Sequence, residues 1–291
     1  MLIDSHCHIN FNAYKEDADD VIARSLAGGI WLVNIGSQYS TSKRTIKIAE
    51  KYNEGVYGVV GLHPIHLIDD ITESVIIDGV KHEITTQREE FDYDKYKALA
   101  KSSAKVVGLG ETGLDYFYFD KNDQDFWVKK DLQKEIFKQF INLAIELNLP
   151  LVMHCRGHQD DPYTVYDDIL GIIKTADKKL SGVIHCFGGN LFQAKEFIDL
   201  GFYIGFTGII TFKKKSEELQ KIVQEIPLEK ILIETDAPFL SPEPYRGKRN
   251  EPSYVKLVAK KVAELKNITL EEVAAVTTLN AKKLFNINPV K

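Results

Sequence analysis

Cysteine is scarce in this chain of 291 residues: Cys7, Cys155 and Cys186 are the only three. So sparse and odd a set excludes a secreted disulfide framework and points to a reducing, cytoplasmic setting. No uninterrupted apolar run reaches the roughly 18 residues of a membrane span, so no membrane partner is expected. No basic and apolar leader precedes Asp4 and His6, so a cleaved signal peptide is not expected. Positive charge is not in excess either: 37 Lys and Arg against 42 Asp and Glu leave a net −5. That argues against nonspecific coating of DNA by phosphate neutralisation, though not against a local cationic cleft. Low-complexity tracts, strong repeats and linker-like shifts are missing. So is the Gly-rich loop that an open doubly wound sheet carries after its first strand; Asp4-Ser5-His6-Cys7-His8 stands there instead. No obligate protein partner is evident.

What is present is a regular alternation. Short apolar runs at 2–5, 30–35, 56–62, 106–110, 151–154, 181–185, 202–207 and 231–235 are each followed by a helical pattern. Strands separated by helices form a parallel sheet covered on both faces. Eight such units in this length fit a closed (β/α)8 TIM barrel, with 1–291 as one domain and an extra C-terminal helix near 270–284. The stretch 66–93 is long for a connection and holds Asp78-Gly79 between two β-rich runs. That pattern predicts a hairpin inserted after the third barrel strand, on the C-terminal rim.

Ionisable residues gather at the predicted strand ends: His6 and His8, His63, Glu111, His154, His185, and Glu234 with Asp236. In a barrel these ends converge on one face. Residues two apart share a strand face, so His6 with His8, and Glu234 with Asp236, point inward. The cysteines, each directly after a histidine, should point outward as small buried hydrophobes. Imidazoles and carboxylates in one mouth suit a divalent transition metal such as zinc, manganese, iron or nickel. Six candidate ligands exceed one structural zinc site, and a central Glu111 could bridge a pair of ions. Glu234, one layer deeper, is expected to orient a ligand histidine, the alternative being a buried carboxylate paired inside the barrel. His63 is weighed equally as a residue supporting the centre and as an ordinary core histidine.

The motifs Asp4-Ser5-His6-Cys7-His8, Gly61-Leu62-His63-Pro64, Gly110-Glu111-Thr112-Gly113-Leu114-Asp115-Tyr116, His185-Cys186-Phe187, Glu234-Thr235-Asp236-Ala237-Pro238 and Arg246-Gly247-Lys248-Arg249-Asn250-Glu251-Pro252, in this order, resemble the TatD family of metal-dependent deoxyribonucleases. The stretch from Pro150 to Arg156 matches as well. The resemblance implies two divalent ions (Mg, Mn or Zn). His6, His8, Glu111 and Asp236 would hold the first, and Glu111, His154 and His185 the second. Asp236 would also orient or deprotonate the attacking water, which makes Asp236 and Glu111 the catalytic candidates. The implied activity is phosphodiester hydrolysis on DNA, trimming from a 3′ end. The longer segment after His63 departs from the family pattern.

Cations after several strands fit a nucleic-acid substrate: Arg156, Lys213-Lys214-Lys215, Arg246, Lys248 and Arg249. Arg grips phosphate bidentately and Lys acts as a point charge. Arg156, Asp115, Tyr116, Arg246 and Arg249 are the candidate substrate contacts. The run Tyr116-Phe117-Tyr118-Phe119 either stacks unpaired bases or packs its loop against the following helix. A same-fold hydrolase acting on another ester or amide, such as aminoacyl-tRNA, is the alternative enzyme. A metal-storing scaffold is the non-enzymatic one. Related dinuclear barrels that bridge their ions with a carbamylated lysine on the fourth strand are disfavoured by Glu111.

Overall fold

The computed structural model describes all residues except 69–70, 79, 120–121, 123, 177–179, 215 and 288–291. Eight strands form one sheet: β1 (Leu2–Cys7), β2 (Ile30–Ile35), β3 (Val56–Val60), β6 (Val106–Asp115), β7 (Leu151–Arg156), β8 (Gly182–Ile184), β9 (Tyr203–Phe206) and β10 (Ile231–Ile233), neighbours in that order. Every pairing in this sheet is parallel. The remaining seam is closed by parallel bonds just beyond the last strand, Asp236 N–H to His6 O at 2.9 Å and His8 N–H to Ala237 O at 2.7 Å. The result is a nearly closed barrel with helices around it, as the alternation predicts.

The inserted hairpin is also present: β4 (Thr72–Ile77) pairs antiparallel with β5 (Val80–Thr85), Ile77 opposite Val80. Gly79 of its turn lies outside the described residues. The hairpin's turn residue Asp78 accepts from the Arg249 amide at 3.3 Å, so the insertion reaches the loop that follows β10.

Eight helices follow the eight barrel strands, from α1 (Ala18–Ala27) through α2 (Tyr39–Ala49), α3 (Tyr93–Lys101), α4 (Phe126–Leu147), α5 (Thr164–Lys174), α6 (Leu191–Asp199) and α7 (Glu217–Glu225) to α8 (Val255–Lys266). The extra helix, α9 (Leu270–Leu284), has a distinct place. Its Ala281 and Leu284, with Phe285 and Ile287 beyond it, cluster with Ile3, Val33, Val59, Val107, Val152, Val183 and Leu232. These are barrel-interior residues of seven strands, so the C-terminal segment plugs the barrel floor beneath the mouth. A larger apolar layer fills the space between sheet and helices.

Two departures from regular register decide which side chains face the mouth. Asp4 pairs with Leu32 and Cys7 with Asn34, so β1 spends three steps where β2 spends two. Likewise Leu109 pairs with Leu151 and Thr112 with Met153, a bulge on β6 at Gly110 and Glu111. Bulges re-aim side chains and recur beside active sites. The second needs glycine: a Cβ on Gly61 would meet the Gly110 carbonyl carbon at 2.2 Å. β6 also runs to Asp115, five residues past the expected end at 110. Glu111 therefore lies within the strand and not at its end.

Phe285 is 2% exposed in the floor. Phe285→Ala should lower unfolding free energy in urea by about 3–5 kcal/mol through lost burial and the cavity left behind. A loss below about 1 kcal/mol would show that the plug is not part of the core.

Candidate metal centre

Glu111 stands at the middle of the mouth, 4% exposed. Its Oε2 lies 3.5 Å from His6 Nε2 and 3.6 Å from His8 Nε2. Its Oε1 lies 2.9 Å from His154 Nδ1 and 3.5 Å from His185 Nε2. The two oxygens thus face two separate sets of donors. Asp236 Oδ1 joins the first set, 3.7 Å from His6 Nε2 and 3.4 Å from His8 Nε2. The Nε2 atoms of His6 and His8 approach each other to 3.1 Å. Metal–ligand bonds of about 2.0–2.2 Å place neighbouring ligands about 3.0–3.6 Å apart, so the donor set fits bound cations. His6 with His8 and Asp236, and His6 with Glu111 and His185, are two of three donor triads of metal-binding dimensions among the described residues.

The backbone and outer partners fix these side chains. His8 Nδ1 is bonded to Ile35 O at 3.0 Å, which leaves Nε2 for the centre. His185 Nδ1 is bonded to Glu234 Oε1 at 2.9 Å. Glu234 is fully buried and also accepts from the Cys186 amide at 2.6 Å and the Ser5 hydroxyl at 3.3 Å. Its carboxylate points inward onto His185, and Gly205 leaves it room, since a Cβ there would meet its Oε2 at 2.7 Å. His154 Nε2 is bonded to Asp115 Oδ2 at 2.9 Å. Metal-bound histidines characteristically donate their second nitrogen in this way. Asp236 sits in the left-handed region at φ 56°, where Asp is tolerated better than most residues.

Charge follows geometry. Burial opposes the protonated form of both His154 and His185. Carboxylates outweigh it, so His154 is pushed up to about 9 by Asp115 and Glu111, and His185 to about 10 by Glu234 and Glu111. Burial likewise opposes the charged form of Glu111 and Asp236, yet the surrounding imidazoles hold both below the usual carboxylate range. The carboxylates thus favour protons on these imidazoles where cations would sit, and metal loading would displace them.

Several expected substrate contacts prove to be structural. Asp115 is 2% exposed and spent on His154 and the Phe117 amide, because β6 extends far enough to carry it into the mouth. Tyr116 is buried, its hydroxyl on Asp168 at 2.8 Å and the Lys130 ammonium 4.0 Å over its ring. The packing alternative for that loop is therefore correct for Tyr116. Arg249 grips Asp17 with both terminal nitrogens and donates to Ala13 O. It tethers the last barrel loop to the start of α1 in place of the phosphate contact expected. Glu251 does the same work, pairing with Arg24 of α1 at 2.7 Å twice, while Asn250 braces the loop itself by donating to Thr235 O and Phe239 O. Arg156 lies over the Phe117 ring at 3.8 Å, and the exposed Arg246 over Phe212 at 4.4 Å. Lys213 and Lys214 are exposed; Lys215 lies outside the described residues. Cys7 and Cys155 are buried outside the mouth as expected, while Cys186 is only half-buried, beside the Thr207 hydroxyl.

Asp4 was not singled out by the sequence. Fully buried, it accepts from the Thr235 amide at 2.9 Å and hydroxyl at 2.6 Å, and so clasps β1 to the segment after β10. Its signal was only its place two residues before His6.

The family model described as "TatD related DNase" matches residues 3–286. The chain belongs to the TatD family. It is 40% identical to a Bacillus subtilis protein named "Uncharacterized metal-dependent hydrolase YabD", over 99% of this chain and 100% of that one. It is 29% identical to the Salmonella typhimurium "3'-5' ssDNA/RNA exonuclease TatD", over 98% and 99% respectively. The crystal structure of the TatD homologue YjjV from Escherichia coli superposes with a TM-score of 0.80 at 26% identity, covering 99% of this chain and 98% of that one. No helix among the described residues is long and apolar enough to cross a membrane.

If Asp115 and Glu234 orient His154 and His185, then Asp115→Asn and Glu234→Gln should each weaken metal affinity by about 10–100-fold while keeping the fold. Titration with a metal competitor, beside circular dichroism, checks this. Unchanged affinity in both variants would contradict it.

Proposed function

We propose that this TatD-family, metal-dependent hydrolase cleaves phosphodiester bonds of DNA, trimming single strands from the 3′ end with two divalent ions, Mg, Mn or Zn. The observation that carries the reading is the split of Glu111: Oε2 faces His6 and His8, and Oε1 faces His154 and His185. A single carboxylate between two donor sets fits a bridged pair. His6, His8 and Asp236 with Oε2 would hold one ion, and His154 and His185 with Oε1 the other. Bound there, the pair would activate a water and screen the phosphoryl charge.

The chain's own groups do the rest. Asp236 has the most open side chain of the mouth carboxylates, 14% exposed against 5% for the side chain of Glu111. Held ionised by its imidazole neighbours, it can orient a water and take its proton. The exposed Arg246, lying on the Phe212 ring, can turn its charge to phosphates further along a strand, and Arg156, over the Phe117 ring, lies near enough to the mouth to join it. The name of the Salmonella relative supports the choice of nucleic acid and of the 3′ end.

The test is a time course on 3′- and 5′-labelled single-stranded DNA, run beside other esters, including aminoacyl-tRNA. Removal of metal should abolish hydrolysis, and divalent ions should restore it. Asp236→Asn should still bind DNA but turn over about 10²–10⁴-fold more slowly. Full activity without metal, near-normal turnover in the variant, or hydrolysis of another ester in place of DNA would each reject the reading.

A further inference from the structure

His63 is the one mouth histidine with no assigned task. It precedes the short 3-10 turn Pro64–Leu67 and caps it: the Ile65 amide donates to His63 Nδ1 at 3.1 Å. A ring nitrogen that accepts a hydrogen bond carries no proton, so the imidazole proton sits on Nε2. Nε2 in turn faces the centre, 3.7 Å from Glu111 Oε1, and the ring lies 4.1 Å from that of His154. The side chain is 12% exposed, more than those of His6, His8 and His185.

We propose that His63 donates a hydrogen bond from Nε2 to a non-bridging oxygen of the phosphoryl group bound at this centre and does not ligate an ion. The proposal rests on the phosphodiester reading. Dimensions alone would also allow His63 to complete a third cation site with Asp115 and His154. The tautomer decides against it: with Nδ1 accepting and Nε2 protonated, no lone pair is left for a cation. Asp115 Oδ2 is moreover taken by His154, and its Oδ1 by the Phe117 amide.

The donor is set before substrate arrives. The His63 amide is bonded to Ser37 O at 2.9 Å. Buried Gln133 of α4 donates to Pro64 O at 3.2 Å and accepts from the Asp115 amide at 2.9 Å, tying the His63 turn to β6. A fixed donor aimed at developing oxyanion charge needs no reorganisation during reaction. Removing one such donor typically costs about 10²–10³-fold in turnover.

Two variants separate the roles. H63N keeps a short acceptor for the Ile65 amide but loses the outer donor. H63Q carries an amide out to the place of Nε2 but caps the turn poorly. In metal-loaded protein, three quantities are measured: bound metal by elemental analysis, inorganic phosphate binding by calorimetry, and hydrolysis of labelled single-stranded DNA. Both variants should keep wild-type metal content. H63N should lose phosphate affinity and about 10²-fold in turnover, and H63Q should retain most of both. The reverse order, with H63N active and H63Q not, would show that His63 only caps the turn. Loss of metal in both would show that it is a ligand. If wild type binds phosphate and the variants rank as expected in phosphate affinity but DNA is not cleaved, the nuclease reading fails and the donor stands. If DNA is cleaved and H63N equals wild type in phosphate binding and turnover, the donor fails and the reading stands.

Discussion

A carboxylate buried at the centre of an apolar barrel must be compensated, and the mouth is organised around that demand at Glu111. An unpaired charge there would carry a large desolvation cost. Imidazoles from β1, β7 and the end of β8 surround it, and each of three is itself fixed by an outer partner: Ile35 O for His8, Asp115 for His154 and Glu234 for His185. Charge thus alternates outward from Glu111, carboxylate to imidazole to carboxylate. Such a network is stable only when complete, and the second carboxylates are buried because the histidines need them. Cations fit because they do what the imidazole protons do, with shorter and stronger bonds.

The barrel holds this arrangement from below and from the side. The floor is closed by Phe285 and its neighbours, so the mouth opens on one face. The seam between first and last strands is tied by Asp4 to Thr235, which fixes His6 relative to Asp236 across the closure. The segment from Arg249 to Glu251 then straps the last loop to α1 through Asp17 and Arg24. Arg249, one of the basic residues after the last strand, thus serves as a fastening, which explains why cations alone are poor evidence of phosphate contact.

The strand order and the inward set His6, His8, Glu111, His154, His185 and Asp236 were legible because strand runs are short, apolar and regularly spaced, and polar residues stand out at their ends. Register was not legible. The bulge between Asp4 and Cys7 leaves no compositional mark, and the glycines beside the bulge at Glu111 do not tell how far the strand runs, so Asp115, beyond the expected strand end at 110, was taken only as a substrate contact. Tyr116 and Arg249 were misread for a related reason: an aromatic or an arginine at a rim has the same composition whether it turns toward substrate or toward its own scaffold. The role of α9 was hidden because its apolar face gives no hint of which end of the barrel it meets.

Anomalous diffraction from crystals of the protein loaded with zinc, measured at the zinc edge, tests the central claim most directly. The account predicts two peaks in the mouth, one among His6, His8 and Asp236, the other between His154 and His185, with Glu111 contacting both through different oxygens. A single peak that leaves one Glu111 oxygen without metal, or peaks only outside the mouth, would contradict it.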